Sequence, residues 1–306
     1  MTYPLLRLGT RSSPLARWQA DWVAARLQEL GITVELTLIT TQGDVTTGSL
    51  SQIGGQGLFT KEIQRALLDE RIDLAVHSLK DLPTSSVDGL VLAAIPPRES
   101  TADALISAVS TDIVTLPRAA RIGTGSLRRQ AQLRHLRPDL VCLEIRGNVD
   151  TRLRKLADGE YDAIVLAEAG LKRLGLADRI SYLISPNVML PAVGQGALGI
   201  EARANDEKTI ELLRPLNHAP SRQAVTAERS LLSALRGGCL APVGAAGRVE
   251  NGRLHLDGVV LSGDGQQRLF ATGSADVEEA LELGETIAEQ LLAQGAAGLI
   301  AAARGG

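Results

Sequence analysis

The sequence predicts an α/β protein with two hinged α/β domains and a small α+β domain that contains a three-stranded antiparallel sheet. Over the first two thirds of the chain, short apolar runs alternate with helices that begin at capping residues, as in α/β folds. Two Pro/Gly-containing stretches, residues 96–100 and 189–196, interrupt this alternation. After Pro242 the pattern changes to strands separated by tight turns, which indicates the third domain.

The composition indicates a globular protein with an aliphatic core, because 44% of the 306 residues are hydrophobic and only 2% are aromatic. The net charge of -3 and the scarcity of aromatic rings argue against nucleic-acid binding. No signal peptide and no run of membrane-spanning length is visible, so we expect a cytoplasmic protein without a membrane partner. The two cysteines and four histidines show no metal-ligand spacing, so no metal is expected.

The first strand, residues 5–9, leads into a helix that Ser13 caps and Pro14 opens. Because free backbone N–H groups point out of a helix start, this turn is an anion site to which Arg11 adds a guanidinium. An ordinary loop with a surface arginine is the alternative. The apolar residues of this helix recur at helical spacing and comprise Leu15, Trp18, Trp22, Ala25 and Leu27.

A strand at residues 33–40 is followed by a long polar loop, residues 41–56, and by a helix that Thr60 can cap. Phe59 stands before this cap and fits either the core or a lid that stacks on a ring. The buried strand 74–76 then ends in His77, Ser78, Lys80 and Asp81. A polar cluster at a strand end predicts either a reaction centre or a solvated turn.

The second domain is rich in arginine, the residue that binds carboxylate or phosphate with a planar fork. The chain has 27 Arg and 5 Lys, and residues 121–179 hold an excess of four positive charges. Three strand ends deliver arginine at or near a helix start, which predicts an anionic ligand. Arg128 and Arg129 are adjacent on a helix, so an alternative is that one of them is solvated. The predicted strands are 103–107, 121–123, 140–145 and 162–167, and Ser126 and Asn148 are helix caps.

The two Pro/Gly-containing stretches predict hinges, because the chain would leave the first domain at one of them and return through the other. One domain is then inserted into the other, and the two lobes form a cleft that can open and close. The predicted ranges are 1–96 with 197–216 for the first domain, 101–191 for the second and 219–306 for the third. In the third domain, Asn251-Gly252 predicts a type I′ hairpin turn.

The two cysteines differ in their surroundings. Cys142 lies in an apolar run and fits a buried, inert thiol. Cys239 follows Gly237 and Gly238, which let the backbone approach another group closely. Cys239 therefore fits a nucleophile, a redox centre or a covalent anchor.

Seven stretches occur in order over nearly the whole chain: GTRSSPLA at 9–16, GLFTKE at 57–62, VHSLKD at 76–81, GTGSLRRQ at 123–130, RGN at 146–148, PAVGQG at 191–196 and GGC at 237–239. Together they resemble the porphobilinogen deaminase family, also called hydroxymethylbilane synthase. The resemblance implies periplasmic-binding-protein-like domains and a monomeric enzyme of tetrapyrrole (porphyrin and haem) biosynthesis. It would join four porphobilinogen molecules head to tail, release ammonia and hydrolyse off the linear hydroxymethylbilane.

The resemblance also implies a dipyrromethane cofactor attached through a thioether to Cys239, and a catalytic carboxylate at Asp81. The carboxylate would stabilise the cation that forms when ammonia leaves. Gln52 and Gln56 stand where family members often have lysines, which removes two positive charges from the loop. The other cofactor- and substrate-binding residues carried over are Arg11, Ser13, Phe59, Ser78, Lys80, Thr124, Ser126, Arg128, Arg129, Arg146, Arg152, Arg173 and Gln195.

A rival function is capture of a small anion by a binding protein, since two hinged lobes with arginines would also suit that task. Cys239 would then be idle, and the absence of an export signal counts against this alternative.

Overall fold

The computed structural model describes residues 5–41, 60–237 and 241–305. The chain forms two compact units, Met1–Arg98 with Ala197–Arg222 and Glu99–Gly196 with Gln223–Gly306. The three predicted domain ranges stay predictions. No helix in the described ranges combines the length and apolarity needed to cross a membrane.

The described strands and helices follow one another along the chain with short connections. The strands are β1 (Leu6–Thr10), β2 (Val34–Leu38), β3 (Leu74–Ser78), β4 (Leu90–Ala94), β5 (Asp103–Ser107), β6 (Arg121–Gly123), β7 (Val141–Leu143), β8 (Ala163–Ala167), β9 (Tyr182–Ile184), β10 (Leu198–Arg203), β11 (Val243–Glu250), β12 (Arg253–Leu261) and β13 (Arg268–Asp276). The helices are α1 (Pro14–Glu29), α2 (Lys61–Leu68), α3 (Leu127–Leu136), α4 (Val149–Ala157), α5 (Glu168–Arg173), α6 (Glu207–Leu213), α7 (Ala219–Ala234), α8 (Ala280–Ala293) and α9 (Ala296–Gly305). Short 3-10 turns lie at Leu79–Asp81, Ala177–Arg179 and Arg214–Leu216.

The first unit is organised around a five-stranded sheet with the order β2-β1-β3-β10-β4. β1 is parallel to β2 and β3, whereas β10 is antiparallel to β3 and β4. β3 continues through Ser78, two residues beyond the predicted end, because His77 and Ser78 pair with Gly199 and Leu198 of β10. The polar cluster at this strand end therefore begins inside the sheet.

Helix α1 begins as predicted, with Pro14 in its first turn and the Ser13 hydroxyl accepting a hydrogen bond from the backbone N–H of Ala16 at 3.4 Å. The apolar residues at helical spacing do not all face the core, because Ala25 is exposed and Trp22 is only half-buried. The narrow stripe that packs on the sheet uses small and aliphatic residues, so the tryptophan lies at its border. The buried positions are Gln19, Ala20, Val23, Ala24 and Leu27.

The second unit contains another five-stranded sheet, with the order β7-β6-β8-β5-β9. Ser126 and Asn148 cap α3 and α4 as predicted, by accepting hydrogen bonds from the N–H groups of Arg129 and Thr151 at 3.4 and 2.9 Å. The expectation that the strand 162–167 delivers Arg173 near a helix start is wrong, because Arg173 is the last residue of α5, which already begins at Glu168. The chain resumes helical geometry immediately after β8, without a loop long enough to move the helix start toward Arg173.

The three-stranded antiparallel sheet β11-β12-β13 lies in the second unit and packs against α8. Asn251 and Gly252 have φ angles of 52° and 77°, as a type I′ turn requires. Nothing lies within 4 Å of a Cβ built at Gly252. The second hairpin turn instead contacts α3, where Arg134 donates to the Gly263 carbonyl at 2.6 Å and His135 Nδ1 lies 2.8 Å from the Gly265 carbonyl. The two five-stranded sheets with their helices and the three-stranded antiparallel sheet confirm the predicted fold class.

Candidate functional site

A pocket lies in the first unit where β1 and β3 end. Because these strands are parallel, their carboxyl ends meet at one edge of the sheet and bring two distant polar stretches together. Four predicted site residues line this pocket: Arg11, Ser13, Ser78 and Asp81. The other lining residues are Leu15, Ala16, Gln19, Thr60, Ile63, Val76 and His77. An apolar wall beside a cation, an anion and hydroxyl groups suits a small ring with charged substituents.

The start of α1 makes one end of this pocket electropositive. Ser13 is the N-cap, and the first N–H groups of a helix carry a partial positive charge. Arg11 precedes the cap and adds a full charge. The first turn of α1, which is fully described, contains no acidic residue. This end of the pocket therefore favours an anion such as a carboxylate.

Asp81 closes the 3-10 turn that follows β3, and its side chain is exposed. Lys80 lies in the same turn and is half-buried, but it is not among the described residues that line the pocket. The Ser78 hydroxyl accepts a hydrogen bond from Gln19 Nε2 at 2.8 Å. Gln19 is 3% exposed and was not singled out by the sequence; a polar residue on the buried face of α1 is the signal that reveals it.

His77 is neither part of a solvated turn nor a free acid–base group, because it is buried against a carboxylate. It is 5% exposed, and its Nε2 lies 2.9 Å from the carboxylate of Glu201 on β10. Gln64 of α2 donates to both oxygens of that carboxylate, at 3.1 and 3.2 Å. This buried polar cluster joins a helix to two strands directly behind the pocket.

Thr60 occupies the N-cap position of α2, but its side chain makes no capping hydrogen bond, so that prediction is wrong. Its φ of -122° and ψ of -29° depart from the extended geometry of a hydroxyl cap. The hydroxyl is buried and has no hydrogen-bond partner among the described residues. It lines the pocket as a donor and acceptor available to a bound molecule.

The second unit places Arg128 and Arg129 on one buried carboxylate. Arg128 Nη1 lies 2.8 Å from one oxygen of Asp103, and Arg129 contacts the other through Nη2 at 2.7 Å and Nε at 3.0 Å. Gln195 donates to that second oxygen at 2.9 Å. The alternative that one of the two arginines is solvated is wrong, because both are at most 6% exposed. Adjacent arginines meet at Asp103 because their long side chains wrap it from two sides.

The Asp103 cluster carries a net positive charge, because two guanidinium groups share one carboxylate. Burial alone would raise the pKa of Asp103, but the charges and hydrogen bonds of Arg128 and Arg129 outweigh it and hold the pKa far below its ordinary value. Burial lowers the pKa of Arg128 against the opposing effect of Asp103, and a guanidinium stays protonated all the same. Arg128 Nε is buried without a hydrogen-bond partner in the described part of the chain.

The other predicted residues around α3 and α4 make local contacts. Thr124 is fully buried, and its hydroxyl accepts a hydrogen bond from the N–H of Ser126 at 3.3 Å. Arg146 pairs with Glu144 at 2.8 Å. Arg152 donates through Nε to the Gly147 carbonyl at 2.8 Å. These contacts shape the loops before the two helices.

Arg173 lies against the end of the segment 191–196. It is half-buried, burial lowers its pKa, and it donates to the Gly196 carbonyl at 2.7 Å. The neighbouring Lys172 pairs with Glu168 at 2.9 Å and with Glu99 at 3.2 Å. The last two residues of α5 therefore contact both ends of the segment Glu99–Gly196 of the second unit.

Some predicted residues lie outside the described ranges, namely Gln52, Gln56, Phe59 and Cys239. Cys142 is free and half-buried in β7, and burial raises the pKa of its thiol. Within the described ranges, no group of three or more His, Cys, Asp or Glu side chains is arranged to hold a metal ion.

Comparison with known proteins decides the family. Residues 6–211 match the family model "Porphobilinogen deaminase, dipyromethane cofactor binding domain", and residues 222–293 match "Porphobilinogen deaminase, C-terminal domain". The chain belongs to the porphobilinogen deaminase family. The predicted family, enzyme class and dipyrromethane cofactor are confirmed.

Family members from three bacteria match this chain over nearly its full length. The porphobilinogen deaminase of Syntrophotalea carbinolica is 50% identical over 99% of this chain and 97% of its own. Those of Chlorobium luteolum and Desulforudis audaxviator are 47% and 50% identical, over 95% and 98% of this chain and the same shares of their own. The solved methionine-binding protein MetQ is 13% identical, with a TM-score of 0.46 over 73% of this chain and 93% of its own.

The described residues of this family member fit a dipyrromethane, whose pyrroles carry carboxylate side chains. The Asp103 cluster has one more positive than negative charge and a buried Arg128 Nε without a partner, so it suits an added carboxylate. The signal for Asp103 in the sequence is a single acid in the apolar run that forms β5. A buried acid needs a cation, and two adjacent arginines follow on α3, the first helix after β5.

Proposed function

We propose that this chain is a hydroxymethylbilane synthase in which Asp81 is the catalytic carboxylate and Cys239 carries the cofactor. The reaction would join four porphobilinogen molecules head to tail, with loss of one ammonia at each step and a final hydrolysis. The observation that carries the proposal is the pocket of the first unit, which combines Asp81, Arg11 and the start of α1.

Asp81 would act where positive charge develops. When the protonated amino group of porphobilinogen leaves as ammonia, the methylene carbon stays on the ring and the product is a cationic azafulvene with its charge shared by the pyrrole nitrogen. A carboxylate about 4 Å from a unit charge interacts by about 4 kcal/mol at an effective dielectric constant near 20. A loss of about 10²–10³-fold in rate corresponds to about 2.7–4 kcal/mol, so one such interaction is large enough to account for it.

The positive groups would bind the acetate and propionate side chains of the pyrroles. Arg11 and the first N–H groups of α1 provide for one carboxylate in the pocket, beside the hydroxyls of Ser13 and Ser78. Gln19 would hold Ser78 in place through its 2.8 Å hydrogen bond. The remaining proposed binding residues are Phe59, Lys80, Thr124, Ser126, Arg128, Arg129, Arg146, Arg152, Arg173 and Gln195.

Cys239 would serve as an anchor and not as a nucleophile that turns over. When bound, the dipyrromethane supplies the free pyrrole carbon to which the first porphobilinogen unit is joined. The thiol of Cys239 would hold it by a thioether, while arginines orient its carboxylates. Cys142 is half-buried and burial raises the pKa of its thiol, so little of it is thiolate and it serves as the control.

The test of Asp81 is the variant Asp81→Asn, which keeps the shape of the side chain and removes its charge. We expect the intact mass to retain the cofactor while kcat falls by about 10²–10³-fold. Asp88→Asn is the matched control, because Asp88 is an exposed acid nearby on the loop before β4 and does not line the pocket. A kcat of Asp81→Asn equal to that of Asp88→Asn would remove Asp81 from the mechanism.

The test of the anchor is the intact mass of the Cys239→Ala variant beside that of Cys142→Ala. We expect the mass increment of a dipyrromethane, and its colour reaction with an acidic pyrrole-aldehyde reagent, to vanish only in Cys239→Ala. Retention of the increment in Cys239→Ala would move the attachment to another residue.

We also propose a monomeric, cytoplasmic enzyme whose partner is porphobilinogen and neither nucleic acid nor a membrane. Sedimentation of the holoenzyme, fractionation of the source cells and a filter-binding assay test the three parts separately. A stable dimer, an envelope fraction or salt-resistant nucleic-acid retention would each overturn the corresponding part.

A further inference from the structure

The buried carboxylate of Asp103 lies at the base of β5 with its side chain fully shielded from solvent. Its backbone is fixed from both sides, because Asp103 pairs with Ala167 of β8 and with Ile184 of β9. A residue held by two neighbouring strands has little freedom to move. Asp103 is therefore a rigid point of attachment within the second unit.

Both oxygens of Asp103 are used, and they are used differently. One oxygen accepts from Arg128, whose Nη1 also donates to the Leu190 carbonyl at 2.7 Å. The other accepts two hydrogen bonds from Arg129, whose Nη1 reaches the Val165 carbonyl at 2.9 Å. Each guanidinium is thus held by a carboxylate and a carbonyl, which fixes its plane as well as its position.

The charge balance shows why this arrangement serves more than stability. A lone buried ion pair is neutral, whereas here two buried cations share a single anion. An excess buried charge is unfavourable unless a further counter-ion approaches. Arg128 Nε is buried without a partner in the described residues, so one donor remains for that counter-ion.

We propose that Asp103 is the positioning residue of the second unit, which orients Arg128 and Arg129 for carboxylates of the pyrrole chain. Asp103 accepts hydrogen bonds only from protein groups and acts through the two arginines. Gln195, which donates to Asp103 at 2.9 Å and to the Thr101 carbonyl at 2.7 Å, supports the same orientation. This inference rests on the proposed carboxylate-binding role of the two arginines.

The variants are Asp103→Asn, which keeps the shape of the side chain, and Asp103→Ala, which leaves a cavity the size of a small carboxylate. If the two arginines lose their orientation, we expect kcat/KM for porphobilinogen to fall by about 10–100-fold, the range typical of residues that orient a binding group without contacting the ligand themselves. We expect added formate to restore part of kcat/KM to Asp103→Ala, because it supplies the missing carboxylate, and to leave Asp103→Asn unchanged. Wild-type enzyme with formate corrects for competition at other sites.

The matched control is Asp162→Ala, which removes the carboxylate of another Arg–Asp pair in the same sheet region. Asp162 contacts Arg121 at 2.9 Å, and this pair is partly exposed. We expect kcat/KM of Asp162→Ala to stay within about twofold of wild type and not to respond to formate. A purely structural role for Asp103 predicts lower thermal stability with unchanged kcat/KM per folded molecule and no rescue by formate.

Two comparisons separate failure of this inference from failure of the proposed function. If Arg129→Gln loses kcat/KM while folded Asp103→Asn and Asp103→Ala keep it, the positioning role is wrong and the arginine role stands. If Arg128→Gln and Arg129→Gln also keep kcat/KM, the proposed function of these arginines is wrong. Recovery of both Asp103 variants only as unfolded protein would assign Asp103 a structural role and overturn the proposal.

Discussion

Gly196 ends the first segment of the second unit, Glu99–Gly196, in a conformation and a space that only glycine tolerates. Its φ is 83°, and a Cβ at this position would fall on the carbonyl oxygens of Glu99 and Ser100, 2.6 Å from the latter. Gly175, at the end of α5, has a φ of 70° but nothing within 4 Å of a Cβ. The pair Gly196→Ala and Gly175→Ala therefore separates the effect of collision from that of backbone strain.

The two effects differ in magnitude. An alanine with positive φ costs about 1–2 kcal/mol, so Gly175→Ala should lose about 1 kcal/mol after the smaller entropy of its unfolded chain is counted. Gly196→Ala must also move backbone that makes two hydrogen bonds, from the Glu99 N–H at 3.2 Å and from Arg173 at 2.7 Å. At about 1 kcal/mol for the neutral bond and about 1.5 kcal/mol for the charged one, the total loss is about 3–4 kcal/mol.

Differential scanning calorimetry measures this difference. For a unit of this size, about 1 kcal/mol corresponds to about 2–4 °C in Tm. We expect Gly175→Ala to lower Tm by about that amount and Gly196→Ala to lower it by about 6–15 °C. Equal shifts in the two variants would refute the argument, because they would mean that the carbonyls of Glu99 and Ser100 move aside without loss.

Burial raises the pKa of Asp73, but hydrogen bonds from Arg7 and Arg203 outweigh burial and leave the pKa below its ordinary value. A group whose pKa is lower in the folded state contributes stability above its unfolded-state pKa, which is near 3.8 for Asp73. In urea unfolding at pH 6 we therefore expect Asp73→Asn to be less stable than wild type, and we expect this difference to shrink as the pH falls below that value. A difference that stays constant with pH would contradict this. Asn148→Ala removes a real cap and should lower stability by about 1 kcal/mol, whereas Thr60→Val removes an unpaired buried hydroxyl and should raise Tm; a lower Tm for Thr60→Val would show that its hydroxyl has a partner. Gln19→Leu frees Ser78 and should raise KM for porphobilinogen more than it lowers kcat, as steady-state kinetics will report, while an unchanged KM would detach Ser78 from substrate binding.

The sequence pattern predicted the elements well where local chemistry decides them. Pro14 with Ser13, Asn148 and the Asn251-Gly252 turn set their boundaries through hydrogen bonds or φ angles that involve near neighbours. The parallel order of β1 and β3 then brings Arg11 and Asp81 to one pocket, as strand-end reasoning expects.

The errors arise where tertiary contacts override local signals. His77 looks like a loop residue beside Ser78, yet pairing with β10, a strand more than a hundred residues away, keeps it in the sheet against Glu201. Arg128 and Arg129 look divergent on a helix, yet Asp103 draws both together. Such partners are distant in the chain, so no local pattern in a single sequence connects them.

The hairpin tips of the third sheet differ in what a protein engineer can attach to them. Around Gly252 the space is empty, so a fluorophore, an epitope or new termini from circular permutation can be placed there without displacing a neighbour. At Gly265 even a methyl group would meet the backbone of Ala131 and His135. A graft at that second tip would push on α3, the helix that carries Arg128 and Arg129, and would disturb the carboxylate binding proposed for these two residues.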